Sequence, residues 1–358
     1  MQKINLNGVD IIKHIARTKY SNVYIVKSHN NSNNNINILK QVNKDLIIKG
    51  GNIKVEMLKR ERSFYETNSN PLYPSFIRSH KDDEYIYMEI TFMEGINMSK
   101  LLLNEKLLQF NTKHSCLALY MCLISQIIDM LLTLHKATYT YRDLKMNNLI
   151  INKDLTCYLV DFGFVKRMEQ RDRTFTICGT PHMKAPELYV DDDKGGYDPF
   201  KVDVYSVGVL MYEMFKGKAP FPYVVDNEVE YAKMVVKGVS DGEEYFGKEF
   251  YGDVDDEDTL NDVNNVKDVI LWCMNVDSGK RPTLVQVTEH KLFKGRFEYY
   301  KSEAMRKSLY CFRKEDYHLR EVYDYIEYHG EYKSDLMNKC GIGEGDGVDG
   351  DEVFKKYF

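Results

Sequence analysis

Neither sign of charge dominates the 358 residues: 49 Lys and Arg stand against 54 Asp and Glu, a formal net charge of −5. That balance excludes the basic footprint from which nucleic-acid binding is read. Seven cysteines, at positions 116, 122, 157, 178, 273, 311 and 340, form no Cys-x-x-Cys pair. Their odd number argues against a disulfide framework, so reduced thiols in a cytoplasmic protein are expected. The opening MQKINLNGVD has neither an apolar signal core nor a Met-Gly start, and no secretion signal or myristoylation site is read there. No long apolar run is unbroken. The stretch Cys116–Leu134 is interrupted by Gln126 and Asp129 and spaced like a buried helix, too interrupted to span a bilayer, so no membrane role is expected. The acidic stretches Asp191–Asp193 and Asp253–Asp258 lack the glycine of a calcium-binding loop and read as solvated insertions.

What is present concentrates between Tyr141 and Glu187. This stretch holds Tyr141-Arg142-Asp143-Leu144-Lys145, then Asn148, then Asp161-Phe162-Gly163, then Ala185-Pro186-Glu187. Phosphoryl transfer is mostly positioning and charge neutralisation. It needs a carboxylate to orient a hydroxyl, a cation beside the transferred group and oxygen ligands for a hard metal ion. The four signatures, in that order, resemble the catalytic-loop, magnesium-loop and Ala-Pro-Glu motifs of the eukaryotic protein kinases.

The resemblance implies an α+β, bilobal protein kinase fold over residues 10–300. A β-rich N-lobe would cover about 10–92 and a mainly helical C-lobe about 95–300, followed by a C-terminal tail over 301–358. It implies transfer of the γ-phosphoryl group of ATP, with Mg²⁺, to a Ser or Thr hydroxyl of a protein substrate. Asp143 would accept the hydroxyl proton, Lys145 would stand by the γ-phosphate, and Asn148 and Asp161 would hold the metal. Lys40 resembles the lysine of the third strand, with Glu61 of the following helix as its partner. Thr180 would hydrogen-bond Asp143 and Lys145. Val23, Ile38, Ile90, Thr91, Met93, Asn97 and Ile150 would surround the nucleotide, with Ile90 as gatekeeper and Thr91–Met93 as hinge.

Two departures bear on nucleotide binding. Aligned on Val23, the glycine-rich loop has Ala16, Thr18 and Ser21 where the three glycines belong. Glycine serves there because the chain bends tightly and approaches phosphates without a Cβ in the way. The loop is therefore expected to be stiffer and to hold phosphate less closely, with Arg17 or Lys19 substituting in part by charge. Ile38 replaces the small residue that packs on adenine. Added bulk in a packed site costs about 1–3 kcal/mol, roughly five- to 150-fold in affinity. An alternative expectation follows: a pseudokinase that scaffolds partners.

The run Asp161–Arg167 and the sequence Arg173-Thr174-Phe175-Thr176-Ile177-Cys178-Gly179-Thr180-Pro181 look like the AGC group, nearest its cyclic-nucleotide-dependent members. In that pattern Thr176 is the activation-loop phosphosite, with Arg142 and Lys166 supplying cations. Glu187 would pair with Arg281, and Asp203 would brace the catalytic loop. Acidic residues that capture substrate arginines in the group's basophilic members correspond to Asn97, Asn147 and Glu213, so two of three carboxylates are amides. Lys184 replaces an apolar residue in the pocket for the position after the acceptor. A less basic substrate is expected. No cyclic-nucleotide-binding repeats are seen, so control by such a ligand would need a separate regulatory subunit. No proline follows Pro282, and only the end Asp351–Phe358 looks like the group's terminal hydrophobic motif, its aromatic rings expected to dock on the small lobe.

Overall fold

The computed structural model describes residues 8–28, 35–102, 115–152, 154–169, 172–189, 195–221, 228–240 and 257–312. The end of the tail, with its terminal aromatic motif, lies outside these residues, as does most of the polar Asn30–Asn37 run. The acidic stretch 191–193 also lies outside them. The last two residues of 253–258 open a helix, Glu257–Cys273, where an insertion was expected.

Five antiparallel strands form the N-terminal sheet: β1 Val9–Arg17, β2 Ser21–Ser28, β3 Asn35–Asn43, β4 Phe76–Lys81 and β5 Tyr85–Thr91, in the order β1-β2-β3-β5-β4. Alternation of apolar and polar residues assigns Ile25, Leu39 and Tyr87 to buried positions, as a pleated strand requires. A helix, Asn52–Thr67, crosses from β3 to β4 and buries Glu61, Phe64 and Tyr65.

The C-terminal lobe is built on two helices. Ser115–Lys136 buries nearly every described apolar side chain along its length, from Leu119 at 5% exposure to Leu134 at 1%. By length and composition alone, Leu117–Lys136 is apolar enough to cross a membrane, so the interruptions at Gln126 and Asp129 do not exclude a span as expected. Its apolar character is accounted for by burial against the rest of the lobe. Pro199–Lys216 is the second. Asp198 caps it by accepting from the Phe200 and Lys201 amides, Pro199 supplies a pre-set first turn, and Gly217 closes it in the left-handed region at φ 65°. The helix Phe297–Phe312 packs along Ser115–Lys136.

Between the lobes run the short strands β6 Ile96–Asn97, β7 Tyr139–Thr140, β8 Leu149–Ile151, β9 Cys157–Leu159 and β10 Lys166–Arg167. β6-β8-β9 form one small sheet, and β10 pairs with β7. This scaffold holds the 141–148 and 161–163 loops at the lobe boundary. One continuous apolar cluster joins Phe64, Tyr65 and Tyr73 of the small lobe to Tyr141, Phe162 and the two large helices.

Candidate active site

Asp203, fully buried, fixes the loop that carries Asp143. Its carboxylate accepts from the amides of Tyr141 (2.9 Å) and Arg142 (2.7 Å), and the His135 ring nitrogen stands 2.9 Å away. Such pairing is what a buried carboxylate needs. The loop is bent enough to put Arg142 at φ 67°, and Asp161 sits at φ 62°. Non-glycine residues in this region cost on the order of 1–3 kcal/mol each, and such strain clusters where side chains must be aimed. Gly179 has φ +98°, and a Cβ there would lie 2.7 Å from the Arg142 carbonyl oxygen, so the activation segment approaches this loop only with glycine at that position.

Asp143 is 4% exposed and accepts four hydrogen bonds. Thr180 donates its amide (3.1 Å) and hydroxyl (2.9 Å) to Oδ1, while Asn148 Nδ2 (3.0 Å) and Lys145 Nζ (2.9 Å) reach Oδ2. Lys145 also donates to the Thr180 hydroxyl at 3.0 Å. Burial raises the Asp143 pKa above the ordinary aspartate value; Lys145 and Thr180 pull it back and the nearby Asp161 charge adds to the rise. A base must be ionised to act, so activity should fall as pH drops through this raised pKa, at higher pH than for an exposed aspartate. Thr180→Val removes a donor to the charged form, so the acid limb of the pH–kcat/KM profile should move further up. A profile that moves down or stays in place would contradict this.

Across the cleft, Lys40 of β3 meets both carboxylate oxygens of Glu61, at 2.6 and 2.8 Å. Burial alone would push the Lys40 ammonium down; the Glu61 and Asp161 carboxylates overcome it and hold it above the usual lysine range. Asp161 is exposed, and among the described residues its carboxylate accepts a hydrogen bond only from the Gly163 amide, at 3.3 Å. Asn148 commits its amide nitrogen to the carbonyl and carboxylate of Asp143, leaving its oxygen as the ligand-type atom. Asn148 and Asp161 therefore offer oxygen donors of the kind that suit Mg²⁺. Phe162 anchors the second of these residues. It stacks on Phe64 at 4.2 Å between ring centroids and meets Tyr65, Tyr73 and Tyr141 at 5.7, 5.2 and 5.3 Å.

The loop between β1 and β2 is a tight turn closed by a side chain. Arg17 pairs with Asn22 and Ala16 with Val23. The Thr18 hydroxyl accepts from the amides of Tyr20 (3.2 Å) and Ser21 (3.0 Å) and bonds the Ser21 hydroxyl at 2.9 Å. Two loop amides are thus already engaged inside the protein. Tyr20 is fixed beside the small-lobe helix by the ammonium groups of Lys54 and Lys19, 5.4 and 5.5 Å from its ring.

Of the remaining nucleotide-pocket residues, Val23 lies across from Lys40, and Ile38 pairs with Ile25 on one side and Ile90 on the other. Ile38 is part-buried against the core. The Thr91 amide and hydroxyl are engaged with Ser75, at 3.0 and 2.8 Å, and the hydroxyl also reaches the Met93 sulfur at 3.9 Å. Backbone contact from the hinge therefore runs through the Thr91 carbonyl or later residues. Asn97 pairs with Ile150 between β6 and β8. Its side chain donates to the Asn147 carbonyl at 2.6 Å and accepts from the Ser99 amide at 3.0 Å, so it is committed within the protein.

In the segment after Gly163, Lys166 donates to the Thr174 hydroxyl at 3.0 Å in the unphosphorylated chain. The Thr176 carbonyl accepts from the Tyr197 hydroxyl at 2.5 Å. Arg142 donates through Nε to the Phe164 carbonyl at 2.9 Å, while its buried Nη1 has no partner among the described residues. Burial, then the Arg142 and Arg60 charges, push the Lys166 ammonium below its usual value. Glu187 and Arg281 form a two-pronged pair at 2.7 Å in both branches.

Sequence reading did not identify Thr18 as a turn lock, Arg60 as the third cation, or His182, whose ring nitrogen stands 3.1 Å from Glu213. Thr18 was legible: Ser, Thr and Asn side chains often close turns through their own downstream amides. Nothing in the sequence marks Arg60 among the charges of its helix.

Residues 9–293 match the family model described as protein kinase domain. The cGMP-dependent protein kinase 2 of Rattus norvegicus is 33% identical over 184 residues, 51% of this chain and 22% of the relative. The cAMP-dependent protein kinase catalytic subunit 3 of Drosophila melanogaster is 36% identical over 168 residues, 47% and 27% of the two chains. Protein kinase C zeta type of Oryctolagus cuniculus is 28% identical over 233 residues, 63% and 36% of the two chains. The matches thus span between 22% and 36% of the length of these relatives.

Proposed function

The chain belongs to the protein kinase family, and from that premise we propose that it transfers the γ-phosphoryl group of ATP to a Ser or Thr hydroxyl of a protein substrate. The observation that carries the proposal is the Asp143 cluster, four donors on one buried carboxylate, facing an intact Lys40–Glu61 pair and Asp161. Asp143 orients the incoming hydroxyl and takes its proton as the new P–O bond forms and the bond to the leaving ADP oxygen breaks. Thr180 holds the Asp143 carboxylate in place and favours serine and threonine acceptors. Lys145 neutralises charge on the transferred group, and Lys40, fixed by Glu61, does so on the departing phosphates. Mg²⁺, held by Asn148 and Asp161 when bound, supplies charge neutralisation and in-line alignment of the phosphates.

Phosphorylation of Thr176 is the regulatory step this reading includes. A phosphothreonine adds roughly −1.5 to −2 charges and orders a segment by pairing with cations. The Arg142 and Arg60 charges act on the Lys166 ammonium, and Arg142 keeps a buried donor without a partner among the described residues. Cytoplasmic localisation and a separate regulatory subunit belong to the same reading.

A second reading has one observation in its favour. The Thr18 hydroxyl holds loop amides that phosphates would otherwise take, which supports a weakly nucleotide-binding scaffold. Thermal unfolding with and without Mg·ATP separates the two. Ligand at 100 times its Kd adds about 2.7 kcal/mol to stability, so a clear shift that disappears in Asp161→Asn supports the enzyme. Thr18→Ala frees both amides and should strengthen the shift several-fold in ligand concentration. No shift at millimolar Mg·ATP, with Thr176 phosphorylated, would overturn the enzyme reading in favour of the scaffold.

A further inference from the structure

The three positions that correspond to arginine-capturing acids offer little free negative charge. Glu213, 9% exposed, receives the His182 ring nitrogen at 3.1 Å. Asn97 and Asn147 are tied to each other by a 2.6 Å hydrogen bond, and the Asn97 oxygen is taken by Ser99. A guanidinium arriving at Asn97 or Glu213 meets a group already engaged by the protein, and at Asn147 it meets a neutral amide.

The segment that carries Thr180 also carries a cation, Lys184. Thr180, bonded to Asp143 at 2.9 Å, begins the single turn Pro181–Met183, and the Lys184 amide closes that turn onto the Pro181 carbonyl at 3.0 Å. The half-buried Lys184 ammonium lies 5.5 Å from the centroid of the Tyr189 ring, and that ring is held by its hydroxyl on the Pro181 carbonyl. No carboxylate lies within salt-bridge distance of Lys184 among the described residues. An oriented, incompletely neutralised lysine four residues from the threonine that holds Asp143 is suited to an anion on the bound peptide.

Resting on the protein kinase reading of the same cleft, we propose that Lys184 is a specificity-determining residue that selects an anionic side chain, carboxylate or phosphate, immediately after the acceptor Ser or Thr. His182 supports this selection by occupying Glu213, so that basic residues before the acceptor gain nothing. Lys184 acts on substrate choice and takes no part in the transfer itself.

The test uses the full chain and fluorescent peptides identical except for the residue after the acceptor serine: aspartate, phosphoserine, leucine or arginine. Binding is read by anisotropy, and transfer by labelled phosphate from ATP. The aspartate or phosphoserine peptide should bind about tenfold more tightly than the leucine peptide and more tightly still than the arginine one. The difference between the first two identifies carboxylate or phosphate as the preferred anion. Lys184→Leu should erase the preference, Lys184→Arg should keep it, and His182→Ala should improve binding of a peptide with two arginines before the serine. Equal binding, arginine preference, no peptide binding, or a preference that survives Lys184→Leu would each overturn the proposal. Anionic preference without any transfer would sink the phosphotransferase reading and leave this one standing. Transfer that ignores the following residue would do the reverse.

Discussion

Asp143→Asn should lower kcat by about 10²- to 10⁴-fold, the usual weight of a positioned proton acceptor, while Mg·ATP binding persists. The substitution is less conservative here than its shape suggests. Thr180 donates twice to one carboxylate oxygen, while Asn148 and Lys145 donate to the other. Whichever way an asparagine turns, its NH₂ faces donors and one pair loses its acceptor, which costs about 1–3 kcal/mol for buried groups. A fall in melting temperature should therefore accompany the fall in rate. Phosphoryl transfer to a mixed protein substrate and a melting curve of the same sample measure both. An unchanged rate would remove Asp143 from the chemistry.

Glu187→Ala should cost about 3–5 kcal/mol of stability, the penalty for stranding one member of a buried ion pair. The Arg281 side chain is fully buried and bonded through two nitrogens to Glu187; it also donates to the carbonyls of Asn275 and Lys201 and lies 5.0 Å from the Tyr205 ring. With the carboxylate removed, the guanidinium keeps only neutral partners in a place water does not reach. Arg281→Met fills the same space without a charge, leaving Glu187, which is 23% exposed, able to find water. It should cost less than Glu187→Ala. Urea unfolding of both variants decides, and equal losses would mean that packing around Arg281, rather than charge, sets the effect.

The sequence made the catalytic centre legible because its chemistry depends on contiguous signatures. Asp143, Lys145 and Asn148 lie within six positions, and the family pattern places Asp161 and Thr180 relative to them. Lys40 and Glu61 were found the same way, across one strand and one helix. The helix Asn52–Thr67 that carries Glu61 opens after Gly51, with no side-chain cap. Residues whose roles depend on meeting across distant elements were not legible. His182 reaches Glu213 from thirty-one positions away, and Lys166 meets Thr174, itself bridged to Tyr197. The burial of Leu117–Lys136 was legible from its spacing, whereas its composition alone does not separate a lobe core from a bilayer span.

The aromatic stack at Phe162 reaches beyond the site it borders. Phe64 and Tyr65 belong to the small-lobe helix, Tyr141 belongs to the catalytic loop, and Tyr73 donates to the Met130 carbonyl in the central helix of the large lobe. The two lobes therefore share one buried unit at their junction. Opening the amides around Asp161 requires breaking contacts in both at once, so hydrogen exchange there should track global unfolding, whereas the β1–β2 turn at the sheet's end, held by Thr18 and a few backbone and ring contacts, should exchange through local opening.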